Sequence, residues 1–339
     1  MNPFTTIQAS VIRFRDTRAE LISHSLADPQ INEVLIRARV SLISPGTERA
    51  ALTRVWDEAA FRANPGYALV GEVIGTGKNL AGIQPGQRVI SLVGHASAAL
   101  ASVEPWVTLP IPDSVNDETA TFLPLASVAL HALRRAQLEM GETVLIVGLG
   151  IIGQIAVTLA RYHGAGRIIV MDLSDERLQI AGKRGADELV NSGKVDPQSA
   201  VLSLTQGEGA PVILDATGST RHIPQNFKLA ALGGRIVTVG IVDESVQLQF
   251  SKEYMQRELT LLAASQPRCP TTPTIRHPWT QQANRQYLLE LMAQGKLKVQ
   301  DLITHRVPAS EAPQLYERLK AVDPGMLGCI LNWSEFNSG

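Results

Sequence analysis

Residues 143–153 read Thr-Val-Leu-Ile-Val-Gly-Leu-Gly-Ile-Ile-Gly, and this stretch decides the fold of the 339-residue chain. A run of β-formers leads into glycines with G-x-G-x-x-G spacing, and a helical pattern follows over 152–162. Gly148 permits a tight turn, Gly150 lets backbone approach a pyrophosphate, and Gly153 lets the helix pack closely on the strand. Free N–H groups at the start of the helix would bind the phosphates. The stretch therefore predicts a dinucleotide-binding unit.

The next predicted strand ends in Asp172, 19 residues after Gly153. A carboxylate there accepts hydrogen bonds from the adenosine ribose and repels an added phosphate, so we expect NAD as the cofactor rather than NADP. Arg177, on the following predicted helix, is the nearest base. Strands over 143–147, 167–171, 212–214 and 235–239 alternate with helical stretches, which predicts a doubly wound parallel sheet. The expected cofactor contacts at its carboxyl edge are Gly148, Gly150, Ile151, Ile152, Gly153, Asp172, Leu173, Arg177, Thr217, Gly218, Gly240 and Ile241.

The flanking regions have a different texture and suggest a second domain. Residues 6–112 read as short strands separated by Gly and Pro, and after 258 the pattern is mixed, with a helix near 281–293 and a strand at 329–332. A chain of this length, 45% hydrophobic, suits two domains. A net charge of −1 gives no reason to expect nucleic acid or membrane as a partner, and two cysteines exclude a disulfide framework. Residues 1–10 lack the apolar core of a signal peptide, and no apolar run is long enough to span a bilayer, so we expect a cytoplasmic protein.

Several phrases make the chain similar to the medium-chain dehydrogenase/reductase superfamily over residues 7–332. They are Pro65-Gly66-Tyr67-Ala68, Gly86-Gln87-Arg88-Val89, Leu130-His131-Ala132-Leu133, Gly233-Gly234-Arg235-Ile236-Val237 and Leu302-Ile303-Thr304-His305-Arg306. The resemblance implies a GroES-like, β-rich catalytic domain at 1–118 and 259–339, with a Rossmann domain inserted at 119–258 and the active site in the cleft between them. It also implies that Ser127 lies near the nicotinamide. A homodimer or dimer of dimers is expected to pair through the last Rossmann strand, placed within 246–250.

Zinc ligands of the family are missing from this sequence. The phrase Ser44-Pro45-Gly46-Thr47-Glu48 has Pro45 where zinc-dependent members have cysteine, Tyr67 stands in place of a histidine, and Leu123 falls at the third ligand. A tetrahedral zinc needs three or four converging donors, so we expect no metal. The same phrases resemble a zinc-free branch that includes bacteriochlorophyllide hydroxyethyl dehydrogenase and sugar or cyclitol oxidoreductases.

Without a metal, a side chain must stabilise the developing oxyanion. By the resemblance, Thr47 matches a hydroxyl that relays the alcohol proton. Tyr67 is the candidate proton donor, and Glu48 is the alternative source of the proton. Glu48 could also orient Tyr67 or bind a substrate hydroxyl. The structural alternatives are that Tyr67 packs at a strand start, Thr47 caps a turn, and Glu48 faces solvent or pairs with Arg49 or Arg54.

The sequence predicts an NAD(H)-dependent, zinc-independent oxidoreductase that acts on a secondary alcohol or ketone of a small polar or biosynthetic compound. An enone or quinone reductase, and a non-catalytic nucleotide sensor, remain as alternatives. Substrate contacts are expected from loops at 50–65, 92–108 and 266–284. Arginines in these loops, Arg54 and Arg62 among them, suggest a polar or anionic substrate.

Overall fold

The computed structural model describes residues 7–78, 82–240, 245–275, 277–323 and 325–336. The chain forms two compact units. The first, here called the β-rich unit, comprises Met1–Pro124, Thr271–Pro273 and Pro278–Gly339; the second, the Rossmann unit, comprises Leu125–Pro270 and Thr274–His277.

The regular elements follow the texture read from the sequence. The strands are β1 Ile7–Arg15, β2 Arg18–Leu26, β3 Glu33–Ile43, β4 Leu69–Thr76, β5 Arg88–Ser91, β6 Ala98–Ser102, β7 Thr108–Pro110, β8 Thr143–Val147, β9 Arg167–Asp172, β10 Glu188–Asn191, β11 Ala210–Asp215, β12 Ala230–Val239, β13 Thr260–Ala264, β14 Ile303–Pro308 and β15 Gly328–Asn332. The helices are α1 Pro45–Leu52, α2 Ala59–Ala63, α3 Asp117–Ala120, α4 Leu123–Ala136, α5 Ile151–Tyr162, α6 Asp175–Lys183, α7 Pro197–Leu204, α8 Ile223–Leu229, α9 Gln281–Ala293 and α10 Ala312–Lys320.

The Rossmann unit is built on a parallel six-stranded sheet in the order β10-β9-β8-β11-β12-β13. Strand order reverses between β8 and β11, which is the doubly wound arrangement. Val144, Leu145 and Ile146 are fully buried, as a strand covered on both faces requires. The predicted fold class is confirmed.

The last strand of this sheet lies elsewhere than predicted. Residues 245–249 form no regular element and Phe250–Met255 is helical, whereas Thr260–Ala264 pairs with β12. The alternation of Val246, Leu248 and Phe250 imitates a strand, but Val246 and Leu248 pack against the apolar core of the unit instead. The sheet therefore extends beyond residue 258, the predicted end of the Rossmann domain.

The β-rich unit joins the two ends of the chain. Its seven-stranded sheet runs β14-β15-β3-β4-β5-β7, with β6 also paired to β3. Cys329 of β15 lies opposite Ile43 of β3, so the C-terminal strands complete a sheet begun by the N-terminal ones. Among the described residues, no helix is long and apolar enough to cross a membrane.

Candidate active site

The glycine loop of the Rossmann unit has the geometry that the three glycine roles require. Gly148 has φ +87°, and a Cβ there would lie 2.9 Å from the backbone nitrogen of Thr217. A Cβ on Gly153 would lie 2.0 Å from the Gly148 carbonyl oxygen. At Gly150, by contrast, a Cβ would meet nothing within 4 Å. Gly148 and Gly153 thus serve close packing, and Gly150 leaves open space for a ligand.

The start of α5 offers hydrogen-bond donors beside that space. Gly150 occupies the N-cap position, where it has no side chain to satisfy the first N–H groups of the helix. Ile151 is buried and Ile152 is half-buried, so the helix presents backbone rather than side chains at its end. Unsatisfied N–H groups and the positive end of the helix dipole favour a phosphate. These residues fit the pyrophosphate of a dinucleotide.

Asp172 ties the glycine loop to the end of β9. Its Oδ2 accepts from the Leu149 N–H at 2.7 Å, and its Oδ1 accepts from the Ser174 N–H at 2.9 Å. Each carboxylate oxygen can accept a second hydrogen bond, which leaves capacity for ribose hydroxyls. The neighbouring Leu173 is 72% exposed, whereas Arg177 is half-buried on α6. The capping role and the ribose-binding role of Asp172 are thus compatible.

A cavity of about 130 Å³ opens at the carboxyl ends of β11 and β12, and its lining includes Gly218 and Gly240. The Thr217 hydroxyl donates to Asp215 at 2.6 Å, and Asn226 donates to the other oxygen of this buried carboxylate, also at 2.6 Å. The buried Asp215 carboxylate therefore fixes the loop after β11, and the exposed Gly218 of this loop lies at the cavity. Ligands of open α/β sheets bind at this edge.

Two predicted cofactor contacts stay predictions. Ser127, expected near the nicotinamide, is fully buried on α4. The residue is enclosed because α4 is apolar on its packed faces, with Ala126 and Ala129 also fully buried. Ile241 lies outside the described residues.

Three hydroxyl groups meet in the β-rich unit around Tyr67. The Tyr67 hydroxyl donates to Ser44 Oγ at 2.6 Å, and the Thr47 hydroxyl also hydrogen-bonds to Tyr67. Burial raises the pKa of the Tyr67 phenol above its usual value, the hydrogen bonds with Ser44 and Thr47 oppose this, and the nearby Glu48 carboxylate adds to it. The phenol therefore stays protonated at neutral pH and is able to donate a proton.

Glu48 is fully buried, which excludes the expectation that it faces solvent or pairs with a surface arginine. Its Oε1 accepts from the Ser44 N–H at 2.7 Å. Its Oε2 accepts from the Tyr316 hydroxyl and lies 3.1 Å from His95 Nε2. Both oxygens are thus engaged within the protein, and the contacts that link Glu48 to Tyr67 run through Ser44. Because its side chain is fully buried, Glu48 presents no surface to a substrate hydroxyl.

The network continues behind Glu48 to the C-terminal end of the chain. His95 Nδ1 lies 2.8 Å from Ser41 Oγ. The same Ser41 oxygen accepts a hydrogen bond from the Trp333 indole N–H at 2.9 Å. The assignment that satisfies these atoms places a hydrogen on His95 Nε2, donated to Glu48, while Nδ1 accepts from Ser41. Sequence reasoning missed Ser41, Ser44, Tyr316 and Trp333. Their partners lie up to 292 residues away, and only Ser44, within the quoted phrase beside Thr47, carried a local signal.

The zinc positions of the family do not fit a metal here. Pro45 begins α1, Tyr67 is bound to Ser44, and Leu123 is buried without a donor atom. Within the described ranges, no group of three or more His, Cys, Asp or Glu side chains is placed to hold an ion.

The arginines of the 50–65 loop are occupied by the protein itself. Arg62 is 6% exposed and donates to the Ala51 and Asp16 carbonyls. Arg54 lies 3.6 Å from the Asp16 carboxylate and 3.8 Å from that of Asp57. Their charges are neutralised locally, so these two residues give no support to an anionic substrate.

Comparison with known proteins finds several dehydrogenases that are similar to this chain. A family model described as zinc-binding dehydrogenase matches residues 152–275. An L-threonine 3-dehydrogenase of Symbiobacterium thermophilum is 29% identical over 87% of this chain and 89% of its own length. L-galactonate-5-dehydrogenase of Escherichia coli is 27% identical over 75% of this chain and 78% of its own length. The fold is shared with a short chain alcohol dehydrogenase from E. coli CFT073 complexed with cofactor NADH (TM-score 0.81, 18% identity, 96% of this chain and 99% of that chain).

The chain is similar to these dehydrogenases over most of its length, in line with the resemblance to the medium-chain dehydrogenase/reductase superfamily. The relatives are named as dehydrogenases of alcohols, which supports the predicted oxidoreductase class with CH–OH as the reacting group. They also support the prediction of a nicotinamide cofactor. The β-rich and Rossmann units that the resemblance implied are both present, and Pro45, Tyr67 and Leu123 stand at the three positions where it implied zinc ligands.

Proposed function

We propose that this protein is an NAD(H)-dependent, zinc-independent oxidoreductase that interconverts a secondary alcohol and a ketone of a small polar compound. The observation that carries the proposal is the dinucleotide cradle: open space at Gly150, the uncapped start of α5 and the Asp172 carboxylate. A bound nicotinamide would supply or accept the hydride. The protein's own residues bind the cofactor, orient the reactants and handle the proton.

The hydroxyl cluster around Tyr67 supports the proton-handling role. A protonated phenol can donate to an alkoxide, since an ordinary alcohol is a much weaker acid than a phenol. Ser44 and Thr47 flank the phenol oxygen, and both can donate to the phenolate that remains. Because Pro45, Tyr67 and Leu123 offer no zinc ligand set, Tyr67 is the residue we assign to stabilise the oxyanion.

A screen of substrates tests the reaction class. NADH consumption should occur with polyhydroxylated ketones, and NAD⁺ reduction with the matching secondary alcohols. If enones or quinones are reduced while no ketone is, the enone/quinone reductase alternative is correct. If tight NADH binding occurs without turnover of any carbonyl compound, the protein is a nucleotide sensor.

We expect NAD(H) to bind at least about tenfold more tightly than NADP(H), a difference of ~1.4 kcal/mol. The physical reason is repulsion between the Asp172 carboxylate and the 2′-phosphate of NADP(H). Titration of intrinsic fluorescence with each cofactor measures the two dissociation constants. Asp172→Ala should weaken NAD(H) and narrow the gap; equal or tighter binding of NADP(H) by the unmodified protein contradicts the assignment.

Zinc independence is tested by metal analysis of the purified protein. We expect far less than one zinc per chain, and turnover unchanged after dialysis against a chelator, because Pro45, Tyr67 and Leu123 offer no ligand set. A zinc-dependent relative treated in parallel provides the control. Stoichiometric zinc whose removal abolishes activity would show that other residues supply the ligands.

We further propose that the protein forms a homodimer through β13. In the described sheet this strand lies at the edge and pairs only with β12, and Leu261 on it is 38% exposed. An unpaired edge strand with exposed apolar groups is a liability in a monomer. Light scattering should give a mass near twice 36.6 kDa. Ala263→Pro should shift the mass to that of one chain, whereas Ile31→Lys, in the other unit, should not.

A further inference from the structure

We infer that Ser44 is a positioning residue that orients the Tyr67 hydroxyl through its own hydroxyl, and that the buried Glu48 carboxylate fixes Ser44 by accepting from its backbone N–H. This inference rests on the proposed function, because it assigns a supporting role toward the proton donor of that reaction. The Tyr67 hydroxyl, Ser44 Oγ, Ser44 N–H and Glu48 Oε1 form one continuous chain of contacts.

The N-terminus of α1 is capped in an unusual way, and this is the first observation. Ser44 is the N-cap residue, yet its hydroxyl makes no capping bond to the helix. It accepts from Tyr67 instead, at 2.6 Å. A serine at this position ordinarily satisfies a helix N–H. Its hydroxyl has therefore been redirected from the helix to the phenol.

The second observation is that three separate groups hold the Glu48 carboxylate in place. A fully buried carboxylate needs donors to offset the loss of water, and this one has the Ser44 N–H, the Tyr316 hydroxyl and His95. These donors come from three separate parts of the unit. The Ser44 backbone is consequently held against a rigid anchor, and the direction of its hydroxyl follows.

The two residues act on the phenol with opposite electrostatic sense. The hydrogen bond between Ser44 and Tyr67 lowers the pKa of the phenol, whereas the Glu48 charge raises it. Among the described residues, the other groups that act on Tyr67 or on Glu48 are the Thr47 hydroxyl, His95, Tyr316 and the Cys329 thiol. Removal of Ser44 Oγ should therefore raise the pKa of Tyr67, and removal of the Glu48 charge should lower it. A purely structural role would not produce opposite shifts.

The test is a pH titration of the tyrosinate absorbance of the intact protein, with the Tyr67→Phe spectrum subtracted. Ser44→Ala should move the Tyr67 midpoint upward and Glu48→Gln should move it downward, each by about one pH unit. In the ketone-reducing direction, the alkaline limb of kcat should move the same way, since activity is lost as Tyr67 deprotonates. Ser44→Ala should also lower kcat about tenfold to a hundredfold through misalignment.

Two further variants separate positioning from stability. Ser44→Thr keeps a hydroxyl at the site and should recover most of the turnover and the original midpoint. Ser41→Ala is the matched control: it deletes an equally buried serine hydroxyl that contacts His95 and Trp333 instead of Tyr67. It should lower the free energy of unfolding and leave the Tyr67 midpoint unchanged.

The outcomes distinguish this inference from the proposed function. If Tyr67→Phe keeps full turnover, Tyr67 is not the proton donor and the assignment under the proposed function fails. If Tyr67→Phe is impaired while Ser44→Ala behaves like Ser41→Ala, the positioning role of Ser44 is wrong. If Glu48→Gln does not fold, the Ser44 pair still decides the result, because Glu48 keeps its contact with the residue 44 backbone N–H in both variants.

Discussion

Replacement of Tyr67 by phenylalanine is expected to lower kcat about 10²–10³-fold, the usual cost of losing one oxyanion donor. Only a hydroxyl is removed, so the ring contact with Phe61, whose centroid lies 6.4 Å away, is retained. The lost bond to Ser44 should reduce the free energy of unfolding by about 1 kcal/mol. Single-turnover rates with NADH and the best ketone from the screen measure the effect on the chemical step.

Controls separate proton donation from packing. Tyr162→Phe makes the same deletion at the far end of α5 and should leave turnover unchanged. Thr47→Val should impair turnover if its hydroxyl belongs to the same relay, and the double variant with Tyr67→Phe should then be less than additive. Full turnover by Tyr67→Phe would reduce Tyr67 to a packing residue and move the donor role to Thr47.

Alanine at two glycines of the cofactor loop should have different effects: at Gly150 it should weaken NADH binding, and at Gly153 it should lower the stability of the fold. Gly150→Ala places a methyl group in open space at φ −66°, so folding should be retained while NADH affinity falls at least about tenfold, or ~1.4 kcal/mol. Gly153→Ala places a methyl group 2.0 Å from the Gly148 carbonyl oxygen, and this overpacking should cost about 1–3 kcal/mol of stability. Chemical denaturation and NADH titration measure the two effects.

Gly182→Ala is the matched control for these variants. It lies within α6, and its added methyl group would meet the nearest atom, on Leu189, at an ordinary 3.5 Å. Alanine is a better helix former than glycine by about 1 kcal/mol, so this variant should be as stable as the parent or more so. If Gly153→Ala gains stability in the same way, close helix–strand packing does not explain that glycine.

The Rossmann unit could be predicted closely because its signals are local. The glycine spacing, the strand at 143–147 and Ser174, which accepts from the Arg177 N–H as an N-cap, all lie within a few residues of the features they determine. The predicted position of the last strand was wrong. Apolar alternation at 246–250 predicts burial, but it does not distinguish pairing in a sheet from packing against a core.

The site in the β-rich unit was only half predictable. Tyr67, Thr47 and Glu48 were recognised from short phrases, and the structure brings them together around Ser44. The role of Glu48 could not be predicted, because its burial depends on residues that are far away in sequence. Its partner Tyr316, for example, lies 268 residues from it. No local pattern carries such a contact, so a buried carboxylate could not be told from an exposed one.

The anchoring of Glu48 by late residues has a consequence for biosynthesis. Tyr316 and Trp333 are translated after the whole Rossmann unit, and domains generally fold as units while the ribosome works. The cofactor-binding loop can therefore form on the nascent chain, but the β-rich unit cannot be completed until its final helix and strand, α10 and β15, have been synthesised. Until then, Glu48 lacks its bond from Tyr316 and Ser41 lacks its bond from Trp333. Proteolytic or mutational loss of the last thirty or so residues would thus leave a cradle for the nucleotide beside an unfinished proton-handling site.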